Sequence, residues 1–456
     1  MKSIHVRGVA FAAAALAGSV GARADFQAAL GDYNAGRYEA AQAQFLSLAE
    51  LGDCSSQFNL GAMALKGQGG PKDVASGVGW LQAAAANGCD KLVGNKLTGL
   101  TAKLTPEQSH AADAVLTRYG PEALHAQGVV NPDLTCRDTT AARVLSAPEA
   151  EYPRRLPGGQ QQAVVISALT IGVDGRARDP EILLAVPRPE FAAAAVEAWM
   201  NSQFAPAQRD GQAVPSRLQA KTVFAIPGGT LANAETFKVA RPAAEGGNPA
   251  AEYLVGLTAT LDPSLGLSSA RAGQLLLDSA RAGHSAAQYW VGSQLRATAA
   301  CHPHADGAVW LRHAADGGSA AAQWLLARDV LTAAPGAAQV TQARALLEKA
   351  AASDSYYVRK HVVALLAASP VDAVRDPPAA LGVARQLAAG EIQSDPQMFE
   401  AVAAAYAANG DFHNAVAQQQ LAVRKAQQLG WNTQAMSERL NAYRGDKPWR
   451  GDLFAL

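Results

Sequence analysis

Three glycines impose a period on the second half of this chain. Gly247, Gly283 and Gly318 are 36 and 35 residues apart, and each opens the same pattern. The run Gly283-His284-Ser285-Ala286-Ala287-Gln288-Tyr289-Trp290-Val291-Gly292 is matched by Ala250-Ala251-Glu252-Tyr253 up to Gly256, and by Ala321-Ala322-Gln323-Trp324 after Gly318. In the first half Gly52-Asp53-Cys54-Ser55-Ser56-Gln57-Phe58-Asn59-Leu60-Gly61 repeats it, and Gly52 and Gly88 are again 36 apart. A fixed period of this length marks stacked units, because one unit cannot bury its apolar face alone. Ahead of each new start stand two large residues with small ones four and five positions on. Trp80-Leu81 precedes Ala84-Ala85, Leu275-Leu276 precedes Ser279-Ala280, Trp310-Leu311 precedes Ala314-Ala315, and Leu346-Leu347 precedes Ala350-Ala351. That spacing makes one helix face, and its small residues let a neighbouring helix approach closely. Each unit is predicted to be an antiparallel helix pair, with Trp310 and Trp324 in the core.

Between Glu151 and Ile226 the period gives way to another pattern. Tyr152-Pro153 opens it. Val164 to Ile171 is a strand-like run that breaks at Val173-Asp174-Gly175. Ile182 to Val186 follows, then the Ala-rich Phe191 to Met200, then Phe204-Ala205-Pro206-Ala207, and last Lys221 to Ile226. Asp-Gly between two such runs is a strong hairpin signal, since both turn residues must tolerate positive φ. The order reads strand, turn, strand, helix, strand.

That order resembles the C-terminal domain of the TonB energy-transducer family. The features that match are Tyr152-Pro153, the Asp174-Gly175 hairpin, the helix, the aromatic-x-Pro-Ala at Phe204, and the final strand. The family's Trp-Arg-Phe reads Ser202-Gln203-Phe204 here, and the stretch lies mid-chain. The resemblance implies a periplasmic domain that contacts a short extended segment of an outer-membrane receptor or other envelope protein. It makes Leu218 to Ile226 a sheet edge, a template for another strand. The partner-binding candidates are Leu218, Gln219, Ala220, Lys221, Thr222, Val223 and Phe224. Leu218, Ala220, Thr222, Phe224 and Ile226 share the face turned toward the helix. Arg217, Gln219 and Lys221 lie on the other, where charge discourages indiscriminate pairing. The alternative is an edge closed by residues 144 to 152.

The repeat units resemble Sel-like repeats of the tetratricopeptide superfamily. Gly67-Gln68-Gly69-Gly70-Pro71-Lys72-Asp73 matches their interhelix loop and lacks the ending of a phosphate loop. Asp25 to Leu51, with Tyr33, Gly36, Tyr38 and Ala41, and Met398 to Gln428, with Tyr406, Gly410 and Phe412, read as tetratricopeptide-like hairpins. Thr105-Pro106-Glu107-Gln108 starts a helix with Pro in its first turn, which would cap the first array near Tyr119.

The first residues read as a secretory signal. Lys2 and Arg7 precede the short apolar run Val9 to Val20, and Ala22-Arg23-Ala24 fits a cleavage site. Export to the periplasm follows, with an uncleaved inner-membrane anchor at residues 9–20 as the alternative. Membrane contact would then be through partners or that N-terminus. Charged residues are 17% and the formal net charge is +0, so nothing points to nucleic acid.

Of the four cysteines, Cys54, Cys89, Cys136 and Cys301, three pairings can be drawn in an oxidising compartment. Cys54–Cys89 is preferred as the shortest link, leaving Cys136 with Cys301. Bridged Cα atoms stand under about 7 Å apart, so adjacent helices must converge there. Cys301-His302-Pro303-His304, with His313 beyond, has the look of a metal cluster. A polar interhelix loop explains it better, because Pro303 splays the ligands. No nucleophile elbow, zinc-protease helix or nucleotide-binding glycine motif occurs. The reading is therefore no catalytic residue, no cofactor and no metal.

The predicted fold is α+β: an α-solenoid of helix hairpins flanking a small ββαβ domain. Its parts are a signal (1–24), a first array (25–120), a linker (121–147), the central domain (148–228), a second linker (229–246), a second array (247–369) and terminal hairpins (370–456).

Overall fold

The computed structural model describes residues 26–129, 139–153, 162–225, 235–298, 307–332 and 335–454. The first array holds α1 (Phe26–Asn34), α2 (Tyr38–Ala49), α3 (Cys54–Lys66) and α4 (Val74–Ala84). After α4 come the short α5 (Asp90–Val93) and α6 (Lys96–Thr101), then α7 (Pro106–Tyr119) and α8 (Pro121–Ala126). Thr105 and Gln108 cap α7 reciprocally, and Pro106 sits where a missing N–H costs nothing. Cys54 and Cys89 form a disulfide with Cα atoms 5.7 Å apart. A π-type turn over Ala85–Cys89 folds the chain back to α3, so no second full helix pair starts at Gly88. Cys136 and Cys301 lie outside the described residues.

Residues 121–147, read as a linker, carry α8, β1 (Thr139–Thr140) and β2 (Arg143–Ser146). The central domain follows with β3 (Ala163–Ile171), β4 (Ala177–Val186), α9 (Phe191–Met200), the short β5 (Gln203–Ala205), β6 (Ala207–Arg209) and β7 (Gln212–Val214), and β8 (Ser216–Phe224). Its main sheet is antiparallel in the order β4-β3-β8. The hairpin turns at Gly172–Gly175, where the Gly175 N–H donates to the Gly172 carbonyl. Gly175 has φ 70°, and a Cβ there would stand 2.2 Å from the Phe204 carbonyl oxygen. Only glycine serves both the turn and that close approach.

The second array is α10 (Glu235–Glu245), α11 (Pro249–Ala259), α12 (Ser269–Arg281), α13 (Ser285–Thr298), α14 (Ala308–Asp316), α15 (Ala320–Thr332), α16 (Ala337–Ala351) and α17 (Tyr356–Ala368). The chain ends in α18 (Pro377–Ala388), α19 (Pro396–Ala408), α20 (Phe412–Gln428) and α21 (Gln434–Arg444). The units are equivalent atom by atom. Gln57, Gln288 and Gln323 each donate Nε2 to a carbonyl eight residues back, at Ala49, Ala280 and Ala315, over 3.1, 3.1 and 3.0 Å. Nine residues after each start, Gly61, Gly256 and Gly292 have no room for a Cβ beyond about 3 Å from the packed neighbouring helix. The small-residue stripe is therefore the helix contact itself.

The two arrays touch directly. Trp310 of α14 is fully buried with Leu51 of the first array and with Leu124 and Val129 just after it, and its indole N–H donates to the Gly128 carbonyl at 3.1 Å. His313 one turn on meets Ser47 Oγ at 3.1 Å. The helical stack thus closes over the point where the chain leaves it to build the sheet. Trp310→Ala is expected to cost about 3–5 kcal/mol, since it empties a fully buried site. Urea unfolding is the check, and an unchanged midpoint would place the indole outside the core.

Candidate functional site

β8 carries the seven partner-binding candidates. It pairs with β3 from Ser216↔Ile171 to Phe224↔Ala163, and with no other strand among the described residues. Its outer edge therefore keeps backbone donors and acceptors outside any ladder. Residues 143–146 pair with β5 instead, from Arg143↔Ala205 to Ser146↔Gln203.

The side chains of β8 are mostly engaged. Leu218, Ala220, Thr222 and Phe224 share the face toward α9. The Phe224 and Phe191 rings are 4.8 Å apart, Tyr152 packs edge-on to both, and the Trp199 indole donates to Thr222 Oγ1 at 2.8 Å. The opposite face, where Arg217, Gln219 and Lys221 lie, is covered as well. It packs on the second array, with Val164 and Ile166 in one core with Leu257, Trp290 and Val291. Lys221 reaches Asp262, in the segment after α11, at 3.0 Å. Val223 is the most exposed of the seven candidates, at 38%. Ile226 lies outside the described residues.

Arg217 begins an ion network that sequence reasoning missed. Its guanidinium holds Glu181 of β4 at 2.7 Å and Asp179 at 3.5 Å. Asp179 also meets two side chains of α17, Lys360 at 3.0 Å and His361 at 2.8 Å. Lys360, 0% exposed, turns to Asp395 at the N-cap of α19 at 2.8 Å. The Tyr356 hydroxyl donates to Asp395, and Gln397 Oε1 accepts from both Lys360 Nζ and the Asp179 N–H. Two strands of the sheet, α17 of the second array and the terminal helix α19 are thus clamped around one ammonium group.

Burial alone would raise the Asp179 carboxyl, but the charges of Lys360, His361 and Arg217 outweigh it and hold it well below the carboxylate range. Burial works against the Lys360 ammonium too, and Asp395 and Asp179 reverse that, so it stays charged. The His361 imidazole is pushed down by burial. Burial pushes the Glu181 carboxyl up, with the Arg217 charge and a hydrogen bond from Tyr289 in partial opposition. Asp179 sits at φ 53°, beside the register shift between Ala168 and Thr170. Asp tolerates that left-handed backbone better than most residues. Its signal in the sequence is faint: charges at inward positions of a strand, and Lys360-His361 inside an apolar helix.

Chemically this network is a closed clamp. Its charges are mutually satisfied, and Tyr356 at its border lines a cleft of about 300 Å³ with Glu190 and Gln386. One cleft of about 750 Å³ lies between the hairpin (Asp174, Arg178) and Asn432 to Glu438. Among the described residues no group of three or more His, Cys, Asp or Glu is placed to hold a metal. His302, Pro303 and His304 lie outside them. His313, the remaining member of that motif, contacts Ser47 and stands 3.8 Å from Glu50, at the junction of the arrays.

The family model described as the Gram-negative bacterial TonB protein C-terminal matches residues 148–226, well under half of the chain. The matched segment spans β3 to β8 and is a non-catalytic module. Among solved structures, a protective antigen present in uropathogenic Escherichia coli strains, displaying an SLR fold, aligns at 15% identity. It covers 92% of this chain and 85% of its own, with a TM-score of 0.33, too low to bear on the present fold. No curated protein matches. A TonB C-terminal-like sheet flanked by helical repeats is the class that these observations define.

Lys360→Met is expected to destabilise the chain by about 3–5 kcal/mol, because Asp395 and Asp179 are left buried without their cation. Denaturant unfolding reads it, and adding Asp395→Asn should recover part of the loss. Asp179 also sets a pH dependence. Its folded pKa lies below its unfolded value, so its contribution is present above about pH 4 and is lost as acid reaches the folded pKa. The stability gap between wild type and Asp179→Asn should hold from pH 7 to about pH 5 and narrow below about pH 4. A gap unchanged down to about pH 3 would remove the Asp179 charge from the clamp.

Proposed function

We propose that this chain is a scaffold of the Gram-negative periplasm, where Sel-like, tetratricopeptide-related repeats and the built-in sheet bind other envelope proteins. One observation carries the reading: the TonB-like sheet is packed on both faces. Val164 and Ile166 are buried against the second array, while Leu169 and Ile171 share a core with Leu429, Trp431 and Met436 of the terminal helices. By resemblance, an energy transducer works at the end of a long spacer that lets its domain travel. A sheet clamped through Lys360 moves with the whole body.

The extended surfaces of stacked helix pairs suit protein partners, and the unpaired edge of β8 supports a second contact there. An outer-membrane receptor segment adding to Leu218–Phe224 as a strand is the finer reading that this edge favours, with backbone hydrogen bonds supplying most of the affinity. Residues 1–24 would direct export. Among the described residues, no helix is long and apolar enough to cross a membrane.

A photo-crosslinking residue at Val223 tests the reading in the native envelope. The expected result is discrete adducts with envelope proteins that persist when the proton gradient is collapsed. Adducts that vanish with the gradient would instead support energy transduction, and an absence of adducts would take the β8 edge out of the binding surface.

A further inference from the structure

The repeat starts share one backbone turn. Gly52, Gly247, Gly283 and Gly318 each donate their N–H to the carbonyl three residues back, at Ala49, Ala244, Ala280 and Ala315, over 3.1 Å. The following N–H donates five residues back, to Leu48, Ala243, Ser279 and Ala314. In three of these turns the alanine carbonyl accepts a second hydrogen bond, from Nε2 of Gln57, Gln288 or Gln323. In the turn at Gly247 the equivalent residue, five positions after the start, is Glu252. The backbone match places the Ala244 carbonyl where its three counterparts stand. Glu252 therefore meets an acceptor with a side chain that, when ionised, can only accept.

Glu252 is only 6% exposed, and among the described residues no donor or cation is bonded to its carboxyl. A bare carboxylate in that place is costly. Burial and the Asp278 charge push the carboxyl up to about 7, with Arg271 in partial opposition. Both of those charges come from α12. The other charged groups around α11 are turned elsewhere. Asp262 is held by Lys221, His284 stacks on Tyr253, Arg281 pairs with Asp278, and Glu235, Lys238, Arg241 and Glu245 of α10 are exposed.

We propose that Glu252 is protonated in the closed fold and donates its O–H to the Ala244 carbonyl, which makes the joint of α10 and α11 a latch that loosens as the carboxyl ionises. α10 is suited to be the part that moves. It packs through Phe237, Ala240 and Ala244, while Lys238, Val239, Arg241 and Pro242 on its other side are exposed. Pro242 also deprives the helix of one internal hydrogen bond. A helix covered on one side only opens locally at lower cost than the core. Opening would uncover the small apolar contact of Ala251, Val255 and Leu275. The folded value lies above the ~4.3 of an unfolded glutamate. The latch thus contributes fully below about pH 4 and is lost as pH rises through about 7.

Hydrogen exchange of the full chain, read by mass spectrometry on peptides of α10 and corrected for the intrinsic rate, tests the latch from about pH 5 to about pH 8, a span that brackets the ionisation. Protection of α10 in the wild type should fall at least about tenfold across that range. Glu252→Gln supplies a permanent donor of the kind the other repeats carry, so it should fold normally and keep the high protection at both ends. Glu252→Ala removes the charge and the donor together. It should show no pH dependence and less protection than Glu252→Gln throughout. A wild-type α10 whose protection does not change overturns the proposal, as does a fall of the same size in Glu252→Gln. Equal protection in Glu252→Ala and Glu252→Gln would remove the hydrogen bond to Ala244 and overturn it as well.

Discussion

A single buried ammonium group sets the architecture of this protein. Lys360 is removed from water between Asp179 of the sheet and Asp395 of the terminal helices. Desolvating an ion costs several kcal/mol unless good geometry and further hydrogen bonds compensate. Here Gln397, Tyr356, His361 and Arg217 complete the shell around the two carboxylates. Losing any partner leaves a charge stranded, so the contact tolerates little sliding. The sheet is held at one place on the helices, which a purely apolar interface would enforce less strictly.

Around that clamp, apolar packing supplies the bulk of the cohesion. One sheet face adds Val164 and Ile166 to the core of the second array, and the other carries α9 and meets α20 and α21. Trp310 and His313 then bind the first array to the second where the chain departs. The β domain is an insertion held within a helical stack. The helix pairs and the edges of the sheet thereby keep fixed relative positions, the condition that the proposed scaffold role requires.

Much of this was legible in the sequence, for local reasons. The repeat starts are written in glycines, and Gln57, Gln288 and Gln323 recur because each makes the same bond to the preceding helix. The ββαβ order follows from Asp174-Gly175 and from alternation. What alternation cannot show is which polar face meets water. Arg217 and Lys221 read as charges that keep a free edge from indiscriminate pairing, yet their partners, Glu181 and Asp262, lie 36 and 41 positions away and arrive only through folding. Composition likewise hid α8, α10, β1 and β2 in segments with the Pro and Gly content of tethers. α8, β1 and β2 are short, and α10 carries Pro242 within it, so tertiary contacts rather than local propensity hold them in place.

The fixed position of the sheet is the claim on which the functional reading rests. Double electron–electron resonance between spin labels on Val173, exposed on the hairpin, and Lys349, exposed on α16, measures it directly. The account predicts one narrow distance distribution that broadens in Lys360→Met. A broad distribution in the wild-type chain would show a domain moving on its connections and would contradict it.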